Sequence, residues 1–454
     1  MLKRPLTPAQ FLAFSFGAFI ATGALLLKLP LAVEPGQAIS WVDALFTSTS
    51  AVCVTGLITV DTPRVFSTFG EAVIAMLIQA GGLGYMTIST VLGLMVGRRM
   101  SLQERVVLQE SLNVYGREGL VQFALTVATF TLTIELVAAI LLTLYWWPSL
   151  GFGQSAYLAS FHAISAFNNA GFSLFSDNLL RFRSDLVVNF VFAILIIAGG
   201  LGFLVLQELR AFVRKPPLSV ARPKLSHHTR LVLFMTGALL LFGTAAIFVF
   251  EASNDRTLGR AGTMEALLAS FFHSVSARTA GFNTIDIGAM RPVTLFIVMV
   301  LMFIGASPGG TGGGVKTTTF GITVAALWAT IRGHRDAVIM RRRVSSDTVS
   351  RSFFISLIAF LALNVVAGLL LASEGRDLLA TLFETTSAFG TVGLSMGQTG
   401  SVLSLSAFFG TTGKLLVATM MFMGRVGPLT LAVAVVGRRS QAPIRYPEAR
   451  VAIG

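Results

Sequence analysis

The sequence predicts an all-α integral membrane protein in which four similar units surround a central pore. Three observations indicate this fold class: a strongly apolar composition, an alternation of long and short apolar segments, and one motif that occurs four times. The chain has 454 residues, of which 54% are hydrophobic and only 12% are charged. Because globular proteins carry about 25% charged residues, this composition excludes an ordinary soluble domain.

Eight long apolar segments satisfy the requirement of about 20 helical residues for crossing a bilayer. The first follows Lys3 and Arg4, as in a signal peptide, but it is long and lacks a small-residue cleavage site, so we interpret it as a retained helix. The sixth contains a glycine-rich interruption. The segments lie near residues 10–28, 68–97, 119–147, 186–213, 229–251, 293–331, 351–373 and 403–437.

One shorter apolar stretch lies between the two long segments of each consecutive pair, which gives four short stretches in all. A helix of about 12 residues is roughly 18 Å long and cannot cross a hydrocarbon core of about 30 Å. We expect each to enter the membrane and return, with its exposed backbone surrounded by protein or water. The stretches lie near residues 40–52, 155–168, 263–277 and 377–389.

The predicted fold is therefore four parallel span–re-entrant helix–span repeats, with eight transmembrane helices and four pore helices around a pseudo-fourfold pore. All repeats share one orientation because each contains two spans. Parallel repeats suit a pore better than the inverted repeats of many transporters. The predicted repeats are 1–98, 99–213, 214–335 and 336–437, followed by a tail at 438–454.

The formal net charge of +13 does not indicate nucleic-acid binding, because the basic residues alternate along the chain. The N-terminus, the loops 97–118, 208–230 and 332–351, and the segment after residue 437 contain 22 of the 34 Lys and Arg. This positive-inside pattern predicts a multi-pass protein of the cell inner (plasma) membrane with both termini cytoplasmic. The basic loops also suit anionic headgroups of membrane lipid.

One motif begins with phenylalanine and reaches a glycine ten residues later, without a gap, in four places. Glycine after a short helix is an ordinary cap, but four copies at nearly equal spacing indicate an internal repeat. The glycines recur at intervals of 115, 110 and 112 residues. The copies are FTSTSAVCVTGL (46–57), FHAISAFNNAGF (161–172), FFHSVSARTAGF (271–282) and FETTSAFGTVGL (383–394).

The four copies have the character of a potassium-selective filter. Backbone carbonyls replace the water shell of potassium, and a strand of inward-facing carbonyls requires unusual dihedrals that glycine adopts without strain. No Asp or Glu lies between the Ser-Ala pair and the glycine of any copy, so carbonyls fit better than a carboxylate ring. The predicted filter residues are Val54, Thr55, Gly56, Asn169, Ala170, Gly171, Thr279, Ala280, Gly281, Thr391, Val392 and Gly393.

The segment GASPGGTGGGVK at 305–316 breaks the sixth apolar segment and predicts a flexible plug under the filter. Lipid does not tolerate such exposed backbone, so the loop should face protein or a wet cavity. Its end resembles a phosphate loop, but the glycine before the lysine is missing. The predicted gate residues are Gly305, Ser307, Pro308, Gly309, Gly310, Thr311, Gly312, Gly313, Gly314, Lys316 and Arg425.

Lys316 and Arg425 are included among the predicted gate residues for two reasons. Isolated charged side chains near the middle of a membrane span are energetically costly and usually functional, and a fixed positive charge hinders the passage of cations. Snorkelling of Lys316 and a structural pair for Arg425 are the alternatives. Arg278, inside the third copy, should turn away from the ions and brace the filter backbone. Glu135 should pair with a polar neighbour, and the GGLG clusters at 81–84 and 199–202 indicate close packing.

The motifs SAVCVTGL, SAFNNAGF, ARTAGFNT and SAFGTVGL, in this order and with the broken third-repeat span, resemble the Ktr/Trk/HKT family of potassium transporters. The resemblance covers essentially the whole chain and is nearest to the Ktr-type membrane subunit. It implies potassium uptake through a filter formed by the four glycines, with an intramembrane loop as gate. It also implies a homodimer, aided by the tail at 444–454, on a cytosolic ring of nucleotide-binding regulatory subunits.

Alternatives remain open: a pore for ammonium or sodium, or a secondary transporter. The latter would need inverted repeats or buried acids for coupling. We do not expect an enzyme, because neither HExxH nor paired carboxylates occur and the single cysteine, Cys53, lacks a nearby base. Potassium is the expected ion, sodium is a candidate activator, and no organic cofactor is expected in this chain.

Overall fold

A computed structural model describes residues 7–84, 120–213, 224–398 and 401–436. Nearly all regular structure in these ranges is helical, with one small antiparallel hairpin of β1 (Val338–Ile339) and β2 (Arg342–Arg343). The predicted tail at 438–454 and the repeat boundary at 98 lie outside the described residues. The helices are α1 (Pro8–Leu27), α2 (Trp41–Val52), α3 (Thr62–Val65), α4 (Thr68–Leu83), α5 (Leu120–Leu150), α6 (Phe152–Phe167), α7 (Leu186–Leu201), α8 (Phe203–Val213), α9 (His227–Glu251), α10 (Thr263–Ser276), α11 (Pro292–Phe303), α12 (Thr317–Ile331), α13 (Ser346–Glu374), α14 (Leu378–Gly390), α15 (Thr411–Val426) and α16 (Pro428–Val436).

Four of the described helices, α1, α5, α9 and α13, are long and apolar enough to cross a membrane. Each lies where the sequence predicts the first span of a repeat. Three of them begin at a hydroxyl cap, since the side chains of Thr7, Ser226 and Ser345 accept hydrogen bonds from the first turn. The molecule is thus a multi-pass, mostly α-helical membrane-type protein.

The helices α2, α6, α10 and α14 lie where the sequence predicts short re-entrant helices. They have 12, 16, 14 and 13 residues, which is too few to cross a bilayer. Their C-terminal halves are almost completely buried, including polar side chains. The fold therefore surrounds the C-terminal halves of these four helices with protein.

The apolar segments predicted at 68–97, 186–213 and 403–437 each contain a helix that a glycine ends, namely α4, α7 and α15. Gly84, Gly202 and Gly427 have φ values of 77°, 95° and 93°, which a right-handed helix cannot contain. The chain consequently bends by 108° between α7 and α8. If that bent pair is counted as one span, the described residues contain five candidate spans.

The glycines before these breaks allow close approach to the short helices. A Cβ at Gly81, Gly199 or Gly424 would overlap the backbone carbonyl oxygen of a residue at the C-terminal end of a short helix. The residues approached are Val52 in α2, Phe167 in α6 and Phe389 in α14. The close packing predicted from the GGLG clusters is confirmed, and MGRVG at 423–427 serves the same purpose.

Ion pairs and hydrogen bonds near the start of the short helices join neighbouring predicted repeats. Lys414 of α15 lies 2.7 Å from Asp43 of α2, which connects the fourth repeat to the first. Arg183 lies 2.6 Å from Glu265 of α10, which connects the second to the third. Tyr157 of α6 donates to Glu71 of α4 and links the first to the second. These contacts fix α2, α6 and α10 against neighbouring repeats.

Candidate functional site

The four motif glycines form a closed ring. A Cβ added to any one of them would collide with the carbonyl oxygen of the residue preceding the next glycine, and the fourth glycine returns to the first. Each glycine is therefore needed both for its φ and for the approach of the neighbouring strand. The contacts run from Gly56 to Ala170, from Gly171 to Ala280, from Gly281 to Val392 and from Gly393 to Thr55.

The sign of φ alternates along the backbone of each copy. The glycine and the residue two before it have positive φ, and the residue between them does not. Positive φ at valine or threonine is strained and typical of functional sites. The φ values are 55°, 59°, 77° and 49° at Val54, Asn169, Thr279 and Thr391, and 92°, 71°, 74° and 92° at Gly56, Gly171, Gly281 and Gly393.

The carbonyl oxygens of the twelve predicted filter residues are almost free of protein hydrogen bonds. Asn178 Nδ2 lies 3.4 Å from Gly281 O, and no other donor in the described ranges reaches any of them. Apart from Gly393, which is half-buried, these residues are buried. Buried carbonyls are normally paired, so this cluster of unpaired oxygens is able to coordinate a cation.

A serine in each short helix contacts the strand that follows, and the sequence analysis did not assign it a role. Its presence in all four copies was the available signal. The serine hydroxyl either accepts from the glycine N–H or donates to the carbonyl after the glycine. The contacts are Ser50 to Gly56 N (3.0 Å), Ser387 to Gly393 N (3.0 Å), Ser165 to Phe172 O (2.7 Å) and Ser276 to Phe282 O (2.5 Å).

The third copy is not the gapless equivalent of the others. Its buried phenylalanine is Phe272, whereas Phe271 is only partly buried, so the matching starts one residue later than predicted. The serine of the Ser-Ala pair accordingly lies five residues before the glycine in this copy, at Ser276, and six residues before it in the other three. Two adjacent phenylalanines concealed this one-residue deletion in the sequence.

This shift places His273 level with His162, although a gapless match of the two copies would offset these histidines by one residue. His162 Nε2 lies 3.3 Å from Leu174 N, and His273 Nε2 accepts from the N–H of Ile285 at 3.0 Å. Glu384 occupies the same level in α14 and accepts from Ser406 N at 2.9 Å. All three side chains therefore hold the segment that follows the glycine strand.

The glycine-rich loop 305–316 lies directly against two of the four strands. Gly313 N donates to Thr391 Oγ1 at 2.9 Å, and Gly312 packs on the Thr279 side chain. On its other side the loop is bound to the broken helix pair α7 and α8. There the bonds are Ser307 N to Gly200 O (3.0 Å), Thr311 N to Gly199 O (3.1 Å) and Phe203 N to Gly309 O (3.0 Å).

Both predicted gate cations bind backbone carbonyls around this loop. Lys316 Nζ donates to Gly312 O at 2.7 Å, so the side chain turns back into the loop and does not snorkel to the interface. Arg425 donates to the carbonyls of Thr311 and Gly81. The guanidinium thereby joins the loop to the first repeat's second helix, α4.

Two cavities lie on opposite sides of this assembly. The vestibule, of about 890 Å³, is lined by the four motif glycines and by the acidic residues Asp61, Asp177, Asp286 and Asp377. The inner cavity, of about 290 Å³, is lined by loop residues together with Lys316 and Arg425. The ring of strands and the loop occupy the space between them.

Two further charged residues lie behind the strands. Glu135 accepts from Asn168 Nδ2 at 2.8 Å and from Gln79 Nε2 at 3.0 Å, so the predicted polar pairing is confirmed. Arg278 is buried, but its Nε has no hydrogen-bond partner among the described residues, so the predicted bracing of the strand is not observed. The described ranges contain no cluster of three or more His, Cys, Asp or Glu suited to a metal ion.

Comparison with known proteins identifies the family. Residues 15–442 match the TrkH family, which is described as "Cation transport protein". The chain belongs to the TrkH family. It is 40% identical over 450 residues to Ktr system potassium uptake protein B of Bacillus subtilis, covering 99% of this chain and 97% of that protein. The corresponding protein of Vibrio alginolyticus is 39% identical, covering 98% and 94%.

The chain is also similar to a potassium/sodium uptake protein and to a solved structure of a potassium transporter. Potassium/sodium uptake protein NtpJ of Enterococcus hirae is 35% identical over 462 residues, covering 100% of this chain and 98% of that protein. The fold resembles the crystal structure of the potassium transporter TrkH from Vibrio parahaemolyticus, with a TM-score of 0.73, 16% identity, and coverage of 95% and 85%. The resemblance read from the motifs is confirmed, and the family is one of cation transporters.

Proposed function

We propose that this TrkH-family protein takes up potassium across the cell membrane through a selectivity filter of backbone carbonyls. The observation that carries the proposal is the closed ring of four glycine strands with unpaired, buried carbonyls at the base of the vestibule. Carbonyl rings of this kind replace the hydration shell of potassium. The acidic residues of the vestibule would raise the local concentration of cations.

The proposed architecture completes the four repeats predicted from the sequence. The first spans α1, α5, α9 and α13, the pore helices α2, α6, α10 and α14, and one second span in each repeat, starting with α4, α7, α11 and α15, would give eight transmembrane helices around a pseudo-fourfold axis. The positive-inside pattern supports cytoplasmic termini in the inner membrane. The vestibule would then face outward and the inner cavity would face the cytoplasm.

The loop 305–316 is proposed to be the gate. It lies against Thr279 and Thr391 at the base of the filter, and Arg425 and Lys316 bind its carbonyls. Two positive charges in the path would also repel an arriving cation. Opening would require the loop to leave these bonds and move aside.

The proposed assembly is a homodimer bound to a cytosolic ring of nucleotide-binding regulatory subunits. Two relatives named as components of a Ktr potassium uptake system support the comparison. The basic cytoplasmic loops supply charge for contacts with a cytosolic partner and with anionic lipid, and the basic side chains of loop 332–351 are exposed. Control by a nucleotide would reach the gate through that partner.

Rubidium uptake into proteoliposomes tests the proposed function. The protein should accumulate ⁸⁶Rb⁺, potassium should compete strongly, and sodium should compete at much higher concentration. Because one relative is named a potassium/sodium uptake protein, equal competition by sodium or ammonium would favour a pore for another monovalent cation. Uptake that requires a proton gradient would instead indicate a secondary transporter.

A further inference from the structure

The four serines divide the filter into two classes of strand. Ser50 and Ser387 accept from the glycine N–H of the first and fourth copies, whereas Ser165 and Ser276 donate to a carbonyl in the second and third. The glycine φ follows the same division, since it is 92° in the first and fourth copies and 71° or 74° in the others. Spacing does not explain the division, because Ser165 and Ser276 lie at different distances from their glycines.

The segments beyond the glycines join the same copies in pairs. Ile58, after the first glycine, exchanges two hydrogen bonds with Ser404, in the segment after the fourth, at 3.0 and 3.2 Å. Asn283, after the third glycine, accepts from Leu179, in the segment after the second, at 3.2 Å. Copies one and four are therefore tied together, and so are copies two and three.

The outermost carbonyls differ between the two pairs. The serine hydroxyls occupy the carbonyls of Phe172 and Phe282, which follow the glycines of the second and third copies. The equivalent carbonyls belong to Leu57 and Leu394, and no donor in the described ranges binds them. Among the described residues, the carbonyls that follow the glycines are thus unpaired on one side of the ring and bonded on the other.

We propose that the filter is assembled as two unlike pairs of strands and that its outermost cation position is built by Leu57 and Leu394 alone. This inference rests on the proposed filter and specifies how its entrance works. An arriving cation exchanges part of its water for these two carbonyls on one side and keeps water toward the locked Phe172 and Phe282 carbonyls. Full dehydration follows one step deeper, at the ring of the four glycine strands.

Single serine-to-alanine variants test the division. In Ser165→Ala and Ser276→Ala the phenylalanine carbonyl is released, the entrance gains an oxygen ligand, and the KM for rubidium should fall about three- to tenfold. Sodium should inhibit at correspondingly lower concentration. In Ser50→Ala and Ser387→Ala a glycine N–H loses its acceptor, and the KM should rise by a similar factor.

Ser160→Ala is the matched control, since Ser160 lies on α6 but faces outward and bonds only Ala156 O. Its KM should equal that of the wild type. The proposal is overturned if all four filter serines shift the KM in one direction, or if copies one and three behave as one class. Wild-type rubidium uptake is measured in the same series, so loss of the proposed function is distinguishable from failure of the pairing.

A density map of the wild type in potassium decides the question if the serine variants do not fold. The outermost ion should lie nearer to the carbonyls of Leu57 and Leu394 than to those of Phe172 and Phe282. An outermost ion equidistant from all four would refute the pairing while preserving the filter.

Discussion

Gly281 illustrates how much one residue is constrained in the proposed filter. Its φ is 74°, and a Cβ there would overlap the carbonyl oxygen of Val392 in the next strand. Any side chain would therefore both strain the backbone and push a neighbouring carbonyl out of the ring. Because the constraint comes from the backbone conformation and the close neighbouring carbonyl, even a small polar side chain at position 281 should disturb the site.

Gly281→Ser should reduce discrimination between potassium and sodium by about tenfold or more, because roughly 1.4 kcal/mol of unequal coordination suffices for that factor. The measurement is sodium competition against rubidium uptake. Gly262→Ser is the control. Gly262 is the N-cap of α10, the short helix that precedes Gly281; its φ is ordinary, and a Cβ there would meet no other atom. Unaltered sodium competition in Gly281→Ser would exclude Gly281 from the filter.

Arg425→Gln should raise the rate of uptake several-fold in the absence of any partner. The substitution removes the charge and at least one of the charge-assisted bonds to Thr311 O and Gly81 O, each worth about 1.5–3 kcal/mol. Arg425→Lys keeps the charge but cannot bind two carbonyls at once as the guanidinium does. Its rate of uptake should lie between those of the wild type and Arg425→Gln. A lower rate in a well-folded Arg425→Gln protein would contradict a closing role.

At this scale the sequence predicts the glycines but not their supports. Four glycines after four short helices are visible as a repeat, because each is required by backbone geometry. The serines are equally repeated, yet their two bonding modes depend on peptide orientations that no residue type specifies. The Nε of Arg278, which has no hydrogen-bond partner among the described residues, likewise reflects packing between helices distant in sequence.

The broken helices show what glycine does at the scale of elements. Hydropathy alone predicts continuous second spans, because Gly84 and Gly202 sit within long apolar segments. In three dimensions the same clusters let the helix approach a pore-helix end and then stop at positive φ. The pattern of apolar residues does not predict where these helices end, because it depends on which residues are buried from water and not on where the backbone turns.

The third pore helix is the element whose alignment the sequence misplaces. The pair Phe271-Phe272 allows a gapless match to the other copies, and only burial identifies Phe272 as the true equivalent. Helix position and length are otherwise predicted well, because a short apolar run between two long ones has few alternatives in a membrane.

Shortening the loop 305–316 should increase potassium flux. A deletion of residues 309–311 removes the bonds that Gly309 and Thr311 make to Phe203 and Gly199 and draws the plug away from the strands. Potassium uptake would be measured in bacteria that lack their own potassium transport, with the protein level quantified in each strain. Unchanged or lower uptake by a well-expressed deletion would refute the plug.

At the scale of the whole molecule, the ring must close between the fourth repeat and the first. The pair Lys414–Asp43 lies at that junction, with side chains only 15% and 16% exposed. Because the pair is only partly buried, its contribution to the free energy of unfolding should lie between those of surface ion pairs and fully buried ones. Further contacts across the same junction include the hydrogen bonds between Ser404 and Ile58 near the vestibule and the bond from Arg425 to Gly81 O.

Lys414→Met should lower the free energy of unfolding by about 2 kcal/mol, because Asp43 is left without its partner. Denaturant titration of the purified protein measures the loss. Arg343→Gln breaks the exposed pair with Asp336 and should change stability by less than about 0.5 kcal/mol. Equal losses in the two variants would show that the junction pair does not help to close the ring.

Anomalous diffraction from crystals grown in rubidium tests the central claim most directly. The account predicts a file of rubidium peaks on the axis between the four strands, each surrounded by carbonyl oxygens of residues 54–56, 169–171, 279–281 and 391–393. Well-ordered strands with no peak between them, or peaks held by side chains elsewhere, would contradict a carbonyl-lined potassium path.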